Sequence, residues 1–414
     1  MYTNQPRRIL VLGASGLIGS AVLREASHFA DLVCVPASRE EREGFIALPY
    51  SSLTTPEKWA MVLRENNIQA VVNCVGIWEG TPEEFELIQY QVPAALAQAC
   101  AYLNLHLVHV SALGFKADSP LHYVSTKARA DQVILEKAPG STIIYPSLVF
   151  GQTGQSTRFF MKLAALPIQA DLGYPQNIQP VHVHDVARTI VDTVRGRRME
   201  RQIDCAGRTK LSLTEYLQYL RKGMGLGKPL FTVPVPKALT KATFLLGERL
   251  GARFVNEQTH ELLSRGTFSD RDFPSASPYD TYARPEDATG AFNAELYTFT
   301  RLAVALLWLL TAIMTWWIWP QEESLQWLAK LHPALGTTTW LGVSCLLDGA
   351  MGILSLVYAS KRLWKFQFWL TAGYTLGLVL AMPENLAHPM GMLTKNLCVL
   401  ATLAYLALNE KPSK

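Results

Sequence analysis

Apolar positions fall into two different patterns along the chain. In the first 230 residues they come as short runs, Ile9-Leu10-Val11-Leu12, Leu32-Val33-Cys34-Val35, Ala70-Val71-Val72 and, interrupted by His106 and His109, Leu105 to Val110. Segments of helical period lie between these runs, one after Gly19 and another over 83–103. A continuous apolar run is what a parallel strand covered on both faces requires, and strands alternating with helices predict an α/β doubly wound parallel sheet. After residue 300 the pattern changes to four long apolar stretches, about 301–319, 339–358, 364–383 and 390–408. At ~1.5 Å per helical residue each would span roughly 28–30 Å, the hydrocarbon thickness of a bilayer. The expectation is an all-α four-span transmembrane bundle.

The turn after the first run reads Gly13-Ala14-Ser15-Gly16-Leu17-Ile18-Gly19. In a strand-to-helix turn the first Gly permits the tight bend and the second lets backbone approach a pyrophosphate. The third allows the helix to pack close to the strand. The phosphates would sit at the helix N-terminus, where free N–H groups and the dipole favour anions. Strand before and helix after make this a dinucleotide site of Rossmann type. At the end of the second run stand Ser38 and Arg39, with no Asp or Glu until Glu40 and Glu41. A ribose 2′-OH is usually held by an acid there, whereas Ser and Arg suit a 2′-phosphate. NADP(H) is therefore favoured, NAD(H) remains possible, and Arg39 as a solvated loop charge is the alternative.

Ser111 ends the Leu105–Val110 run, and twelve residues later comes Tyr123-Val124-Ser125-Thr126-Lys127. On a helix Tyr123 and Lys127 share a face. Lys127 could lower the phenol's pKa and hold the nicotinamide ribose, Ser111 could hydrogen-bond the substrate oxygen, and Tyr123 could exchange the proton that accompanies hydride transfer.

The order GASGLIG, NCVGI, VHVSALG, YVSTKARAD, then Tyr145-Pro146-Ser147-Leu148-Val149-Phe150-Gly151 and Gln179 to Ala187, resembles the short-chain dehydrogenase/reductase superfamily. More narrowly it is similar to the atypical branch related to the NAD(P)H-binding accessory subunit of respiratory complex I. The resemblance covers about residues 7–230 and implies cofactor contacts at Gly13, Ser15, Gly16, Leu17, Ile18, Gly19, Val75, Gly76, Lys127, Pro146 and Ser147, with catalysis by Ser111, Tyr123 and Lys127. Tyr145 stands where relatives often carry Arg. The accessory subunit binds nucleotide without turning it over, so a complete Ser-Tyr-Lys set leaves two readings open. One is an oxidoreductase acting on a lipid-soluble carbonyl or hydroxyl, such as a quinone, an isoprenoid or a precursor. The other is a static nucleotide-binding subunit of a membrane redox complex.

Residues 231–295, with Pro-rich stretches at 233–237 and 273–278, are expected to form a variable substrate lobe and linker between a 1–230 domain and a 296–410 membrane domain. Eight of the ten Trp lie at or after Trp308. With the first domain inside, Arg301, Lys361, Arg362, Lys365, Lys411 and Lys414 fall on the cytoplasmic side and Lys330 outside, as the positive-inside rule asks. Asp348 and Lys395 interrupt the second and fourth apolar stretches; a charge exposed to lipid is costly, so they are expected to face the bundle interior as an ion pair or a functional polar site. Asp348-Gly349 and the 389–396 run resemble the four-span DoxX-like family, whose association is with quinone-linked and redox-linked membrane functions.

The formal charge of +4 comes without a basic, aromatic-interleaved run, which argues against nucleic acid as a partner. Six Cys without a CxxC pair point to a reducing compartment, and His182, His184 and His260 lack metal-ligand spacing. The N-terminal residues carry no long apolar run, so no cleaved signal peptide is expected, and the chain reads as a bacterial-type inner-membrane protein with its first domain in the cytoplasm.

Overall fold

The computed structural model describes residues 6–175, 177–249, 253–271, 273, 276–383 and 395–410. The chain divides into two compact units, with the boundary between Ala291 and Phe292.

In the first unit the strands are β1 (Arg7–Leu12), β2 (Leu32–Ser38), β3 (Ile46–Ala47), β4 (Ala70–Asn73), β5 (His106–Val110) and β6 (Thr142–Pro146), then the short β7 (Val149–Phe150), β8 (Ile168–Asp171), β9 (Val181–His182), β10 (Gln202–Cys205) and β11 (Phe231–Pro234). Seven of them form one sheet in the order β10-β6-β5-β4-β1-β2-β3, with every pairing parallel. The apolar runs expected as strands are these strands. Because side chains alternate along each, the sheet builds two cores. Ile9, Val11, Val72 and Val108 pack on Val186 and Ile190 on one face. Leu10, Val71, Leu107 and Ile143 pack on Trp59, Leu63, Leu96 and Ile134 on the other. The strand order reverses between β1 and β4, and that reversal opens a crevice at the carboxyl ends of the strands, where open α/β sheets bind ligands.

A third cluster, around Phe150, Phe160, Tyr216, Leu220 and Tyr282, gathers the later part of this unit. Residues expected as a variable substrate lobe and linker contribute Phe244, Leu263 and Tyr279 to it. β11 pairs with β8, helices follow at Lys237–Arg249 and Glu257–Arg265, and Phe273 and Ala276 are buried in the first core. Buried Asp185 accepts hydrogen bonds from the Ser277 backbone N–H and hydroxyl, each at 2.8 Å, and the Tyr282 hydroxyl donates to the Pro180 carbonyl at 2.9 Å. The Pro-rich composition concealed these anchors.

The second unit is helical: the helix Pro285–Ile313 from Phe292 onward, continued by a wide turn over Met314–Ile318, then Gln321–Leu331, Thr338–Val357, Lys361–Ala381 and Asn396–Asn409. Two segments, Pro285–Ile318 and Thr338–Val357, are long and apolar enough to cross a membrane. The other two expected spans do not meet that measure. Lys361–Ala381 carries Lys361, Arg362 and Lys365 in its opening turns, Asn396–Asn409 has 14 residues, and the start of the 390–408 stretch lies outside the described residues. Polar pins hold the helices together. The Gln367 side chain, fully buried, accepts from Trp308 Nε1 at 3.0 Å and donates to Ser355 Oγ at 2.9 Å. Glu410 accepts from Trp364 Nε1 at 2.7 Å and from the Tyr297 hydroxyl. Among apolar neighbours such bonds have few competitors.

The expected pairing of Asp348 with Lys395 is not observed. Lys395 is exposed at the N-cap of the described helix Asn396–Asn409, and among the described residues no ion pair joins it to Asp348.

Candidate active site

The site is assembled at the reversal point. β1 delivers the chain to Gly13, which turns with φ of +70°; a Cβ there would lie 2.9 Å from the Cys74 carbonyl oxygen on the end of β4. The Gly16 N–H closes the turn on the Gly13 carbonyl at 2.9 Å. A Cβ on Gly19 would stand 2.2 Å from that same oxygen, so helix Leu17–Ala26 touches the turn at a distance only Gly allows. Gly16 is the N-cap and supplies no side-chain cap, which leaves first-turn N–H groups for an anion. A dinucleotide pyrophosphate fits this cradle.

One cavity of about 910 Å³ runs from the cradle along the crevice. Ser15, Gly16, Leu17 and Ile18 line it, and so do Gly76, Pro146, Ser147, Ser111, Tyr123 and Lys127. Residues from Ser15 to Ser147 thus share one chamber of cofactor and substrate size. Gly13 and Gly19 act from behind it as packing positions. Val75 is not in the cavity wall; it packs on the core of Leu10 and Val71, and its N–H is bonded to Asn73 Oδ1 at 3.1 Å. Ser38 and Arg39 stand at the end of β2 outside the cavity wall; the Ser38 hydroxyl accepts from the Glu40 N–H at 3.4 Å, and Arg39 is exposed.

Helix His122–Lys137 carries Tyr123 and Lys127 one turn apart. The Tyr123 ring meets Trp78 edge-on at 5.0 Å and Phe115 at 5.2 Å. Burial pushes its phenol up to about 12. The rise comes from desolvation among aromatic rings, with no lowering by Lys127 beside it. Lys127 is itself buried, which depresses its ammonium pKa against the opposing pull of Asp131 and Cys74. Its Nζ would lie 3.3 Å from a Cβ on Gly76, so this Gly leaves room for the ammonium.

Ser111 lines the chamber, and its hydroxyl donates to Asp131 Oδ2 at 2.5 Å, so its proton is directed away from the chamber. Burial raises the Asp131 carboxyl to about 7, against the Ser111 bond and Lys127. His109 Nε2 lies 3.7 Å from Asp131 Oδ1, and burial, then Lys127, push this imidazole down to about 3. Gln89 sits in a wide helical turn, Leu87–Gln91, and donates from Nε2 to the Tyr123 carbonyl at 3.2 Å. Sequence reading missed Asn73, Gln89, His109 and Asp131. Asp131 carried a signal, since it stands four residues after Lys127 on the same helix face; Gln89 carried none, because its reach depends on the extra residue in its turn.

A family model described as RmlD substrate binding domain matches residues 7–215, and one described as DoxX-like family matches residues 305–404. Among curated proteins, the mouse NADH dehydrogenase [ubiquinone] 1 alpha subcomplex subunit 9, mitochondrial, is 25% identical over 198 residues, which are 45% of this chain and 52% of that protein. The chain thus spans about half the length of this relative. The dTDP-4-dehydrorhamnose reductase of Mycobacterium tuberculosis is 26% identical over 220 residues, 46% of this chain and 68% of the enzyme. The solved structure of gox2253 superposes with a TM-score of 0.51 at 18% identity, covering 69% of this chain and 98% of that one, a likeness of fold.

Proposed function

Because the chain belongs to the RmlD substrate binding domain family and carries a DoxX-like domain at residues 305–404, we propose that it is a membrane-anchored, NAD(P)H-dependent oxidoreductase acting on a carbonyl or hydroxyl of a lipid-soluble substrate. The carrying observation is the single chamber that joins the glycine cradle to Ser111, Tyr123 and Lys127. Bound there, the nicotinamide would give or take the hydride. The chain's own residues would do the rest: the cradle binds the phosphates, Lys127 holds charge beside Gly76, and Tyr123 passes a proton to or from the substrate oxygen. Trp78, Phe115, Phe159 and Phe254 wall the same chamber, which suits an apolar substrate such as a quinone, an isoprenoid or a precursor. In the second unit, Leu346, Trp369, Leu380 and Leu408 are each more than two-thirds exposed (75%, 71%, 76% and 78%). Apolar surface of this kind fits a lipid environment, with the first unit on the cytoplasmic side by the distribution of Lys and Arg. Four spans, with the 390–408 stretch as the last, belong to this reading.

The curated relatives named as subunits of NADH dehydrogenase [ubiquinone] support the second reading, a nucleotide-binding subunit of a membrane redox complex. The two separate on turnover. Purified full chain in vesicles, given NADPH and a neutral-lipid extract, should oxidise the nicotinamide; binding without oxidation would favour the subunit.

Cofactor choice is tested separately. Ser38 and Arg39 should make NADPH bind more tightly than NADH, and Arg39→Ala should erase most of that preference while leaving NADH affinity almost unchanged. Calorimetry showing NADH bound as tightly as NADPH by the wild type would contradict it.

A further inference from the structure

The buried cluster behind Ser111 is not explained by holding a cofactor or a substrate. Its orientation can be read from the backbone outward. The Val75 N–H donates to Asn73 Oδ1 at 3.1 Å, which fixes the amide and turns its Nδ2 toward His109 Nδ1, also at 3.1 Å. Nδ1 must accept, so the neutral imidazole carries its proton on Nε2, facing Asp131 Oδ1. At 3.7 Å the two atoms face each other without a hydrogen bond, both buried, while the other Asp131 oxygen accepts from the Ser111 hydroxyl.

Asp131 also faces a different space. It lines a second cavity of about 490 Å³ with Phe115, Lys116, Asp118, Gln132 and Tyr145. Lys116, Asp118 and Gln132 are exposed, so this cavity opens to solvent. Ser111 lines the large chamber and not the second cavity; Asp131 lines the second cavity and not the chamber. The 2.5 Å bond between them is a polar link from one to the other.

We propose that Ser111 and Asp131 form a proton conduit from the cofactor chamber to the second cavity, with Asp131 as its point of exchange with water and Asn73 and His109 as positioning residues. The proposal rests on the oxidoreductase reading. In the reducing direction the substrate oxygen takes the phenolic proton of Tyr123. The phenolate is reprotonated from the Ser111 hydroxyl, directly or through a water in the chamber. Ser111 takes the proton of the Asp131 carboxyl, and the carboxylate takes one from water in the second cavity. Each step breaks one O–H bond and makes another, and the net proton comes from solvent. The oxidising direction runs the same steps backward.

The surroundings suit that task. Asp131 is faced by Lys127 on its own helix, by His109 and Ser111 from β5 and its end, and by Tyr145 from β6, whose phenol is pushed upward by burial and by the Asp131 and Asp204 charges. Lys116 and Asp118 share the cavity mouth. A carboxyl near 7 can both hold and release a proton at neutrality. Tyr145, which departs from the residue often met in relatives, lies in this second cavity and not in the large chamber.

Infrared spectroscopy on the full chain in vesicles tests the conduit without turnover. A protonated-carboxyl band should titrate near neutral pH, vanish in Asp131→Asn, and titrate equally when saturating NADPH fills the chamber. A band that stops titrating once NADPH is bound, or that does not titrate near neutrality, would overturn the proposal. The kinetic arm uses NADPH with a short-tailed ubiquinone as probe. Asp131→Asn should lower kcat by about 10²-fold, increasingly as pH rises, with the NADPH dissociation constant within about twofold of wild type. Acetate should restore Asp131→Ala, and Asp131→Glu should recover most of the rate. Gln132→Trp, an exposed change at the cavity mouth, should slow turnover with an unchanged melting temperature. A pH-independent loss that acetate does not repair would mark a purely structural role. If wild type does not oxidise NADPH at all, the oxidoreductase reading fails, and the infrared titration still decides the conduit.

Discussion

Tyr123→Phe is expected to lower NADPH-dependent turnover by about 10²–10⁴-fold, the usual reach of general acid–base catalysis. The substitution removes one oxygen and leaves the ring. Its edge contacts with Trp78 and Phe115, at 5.0 and 5.2 Å, are made by carbon atoms and survive. No side-chain bond of the Tyr123 hydroxyl holds the fold among the described residues; the polar contact at this residue is its carbonyl, which accepts from Gln89. Melting temperature and NADPH affinity should therefore stay near wild type while the rate collapses. A variant that retains wild-type turnover would remove Tyr123 from the chemistry; one that loses cofactor affinity in step with rate would recast it as a binding residue.

The second large effect is expected at Gly19. Replacing a helical Gly with Ala ordinarily favours the helix by about 1 kcal/mol. Here the new Cβ would lie 2.2 Å from the Gly13 carbonyl oxygen and 2.8 Å from the Ala14 Cα. Both obstacles are backbone, so no rotamer change relieves them, and overpacking of this kind costs about 1–3 kcal/mol. The clash outweighs the propensity gain. It also pushes the helix N-terminus away from the turn that cradles phosphate, so NADPH binding should be lost even where the unit stays folded. Gly290, helical with open space around the same position, is the control: Gly290→Ala should leave binding and melting temperature unchanged or slightly improved. Calorimetry and thermal unfolding of the two variants check both effects. Gly19→Ala binding NADPH like wild type would contradict the cradle.

Much of the first unit was legible because its signals are local. The runs at Ile9–Leu12, Ala70–Val72 and Leu107–Val110 need no partner to be read as buried strands, and the Gly13–Gly19 spacing carries its own geometry. The Tyr123/Lys127 spacing placed two side chains on one helix face, and the cavity joins both to the cradle. What failed to read were properties that arise only across the fold. Ser111 turns its proton to Asp131 because β5 and the helix His122–Lys137 meet there. The phenol of Tyr123 rises because aromatic residues from three separate segments close over it. The Pro-rich stretch near 273–278 looked like linker because the donors that anchor it to Asp185, the Ser277 N–H and hydroxyl, resemble any loop serine in sequence. In the second unit hydropathy located the helical stretches, but which side chains meet between them, as Gln367 meets Trp308 and Ser355, depends on packing that hydropathy does not carry.

The proposed coupling of a nicotinamide cofactor to a lipid-soluble substrate is open to direct measurement. The most direct measurement is the nicotinamide absorbance of NADPH mixed with purified full chain in vesicles and a neutral-lipid extract, followed for wild type and Tyr123→Phe side by side. The account predicts oxidation that depends on the extract and proceeds about 10²–10⁴-fold faster in wild type. NADPH that binds stoichiometrically to both proteins yet is oxidised by neither would contradict it, and would leave the cofactor as a static ligand.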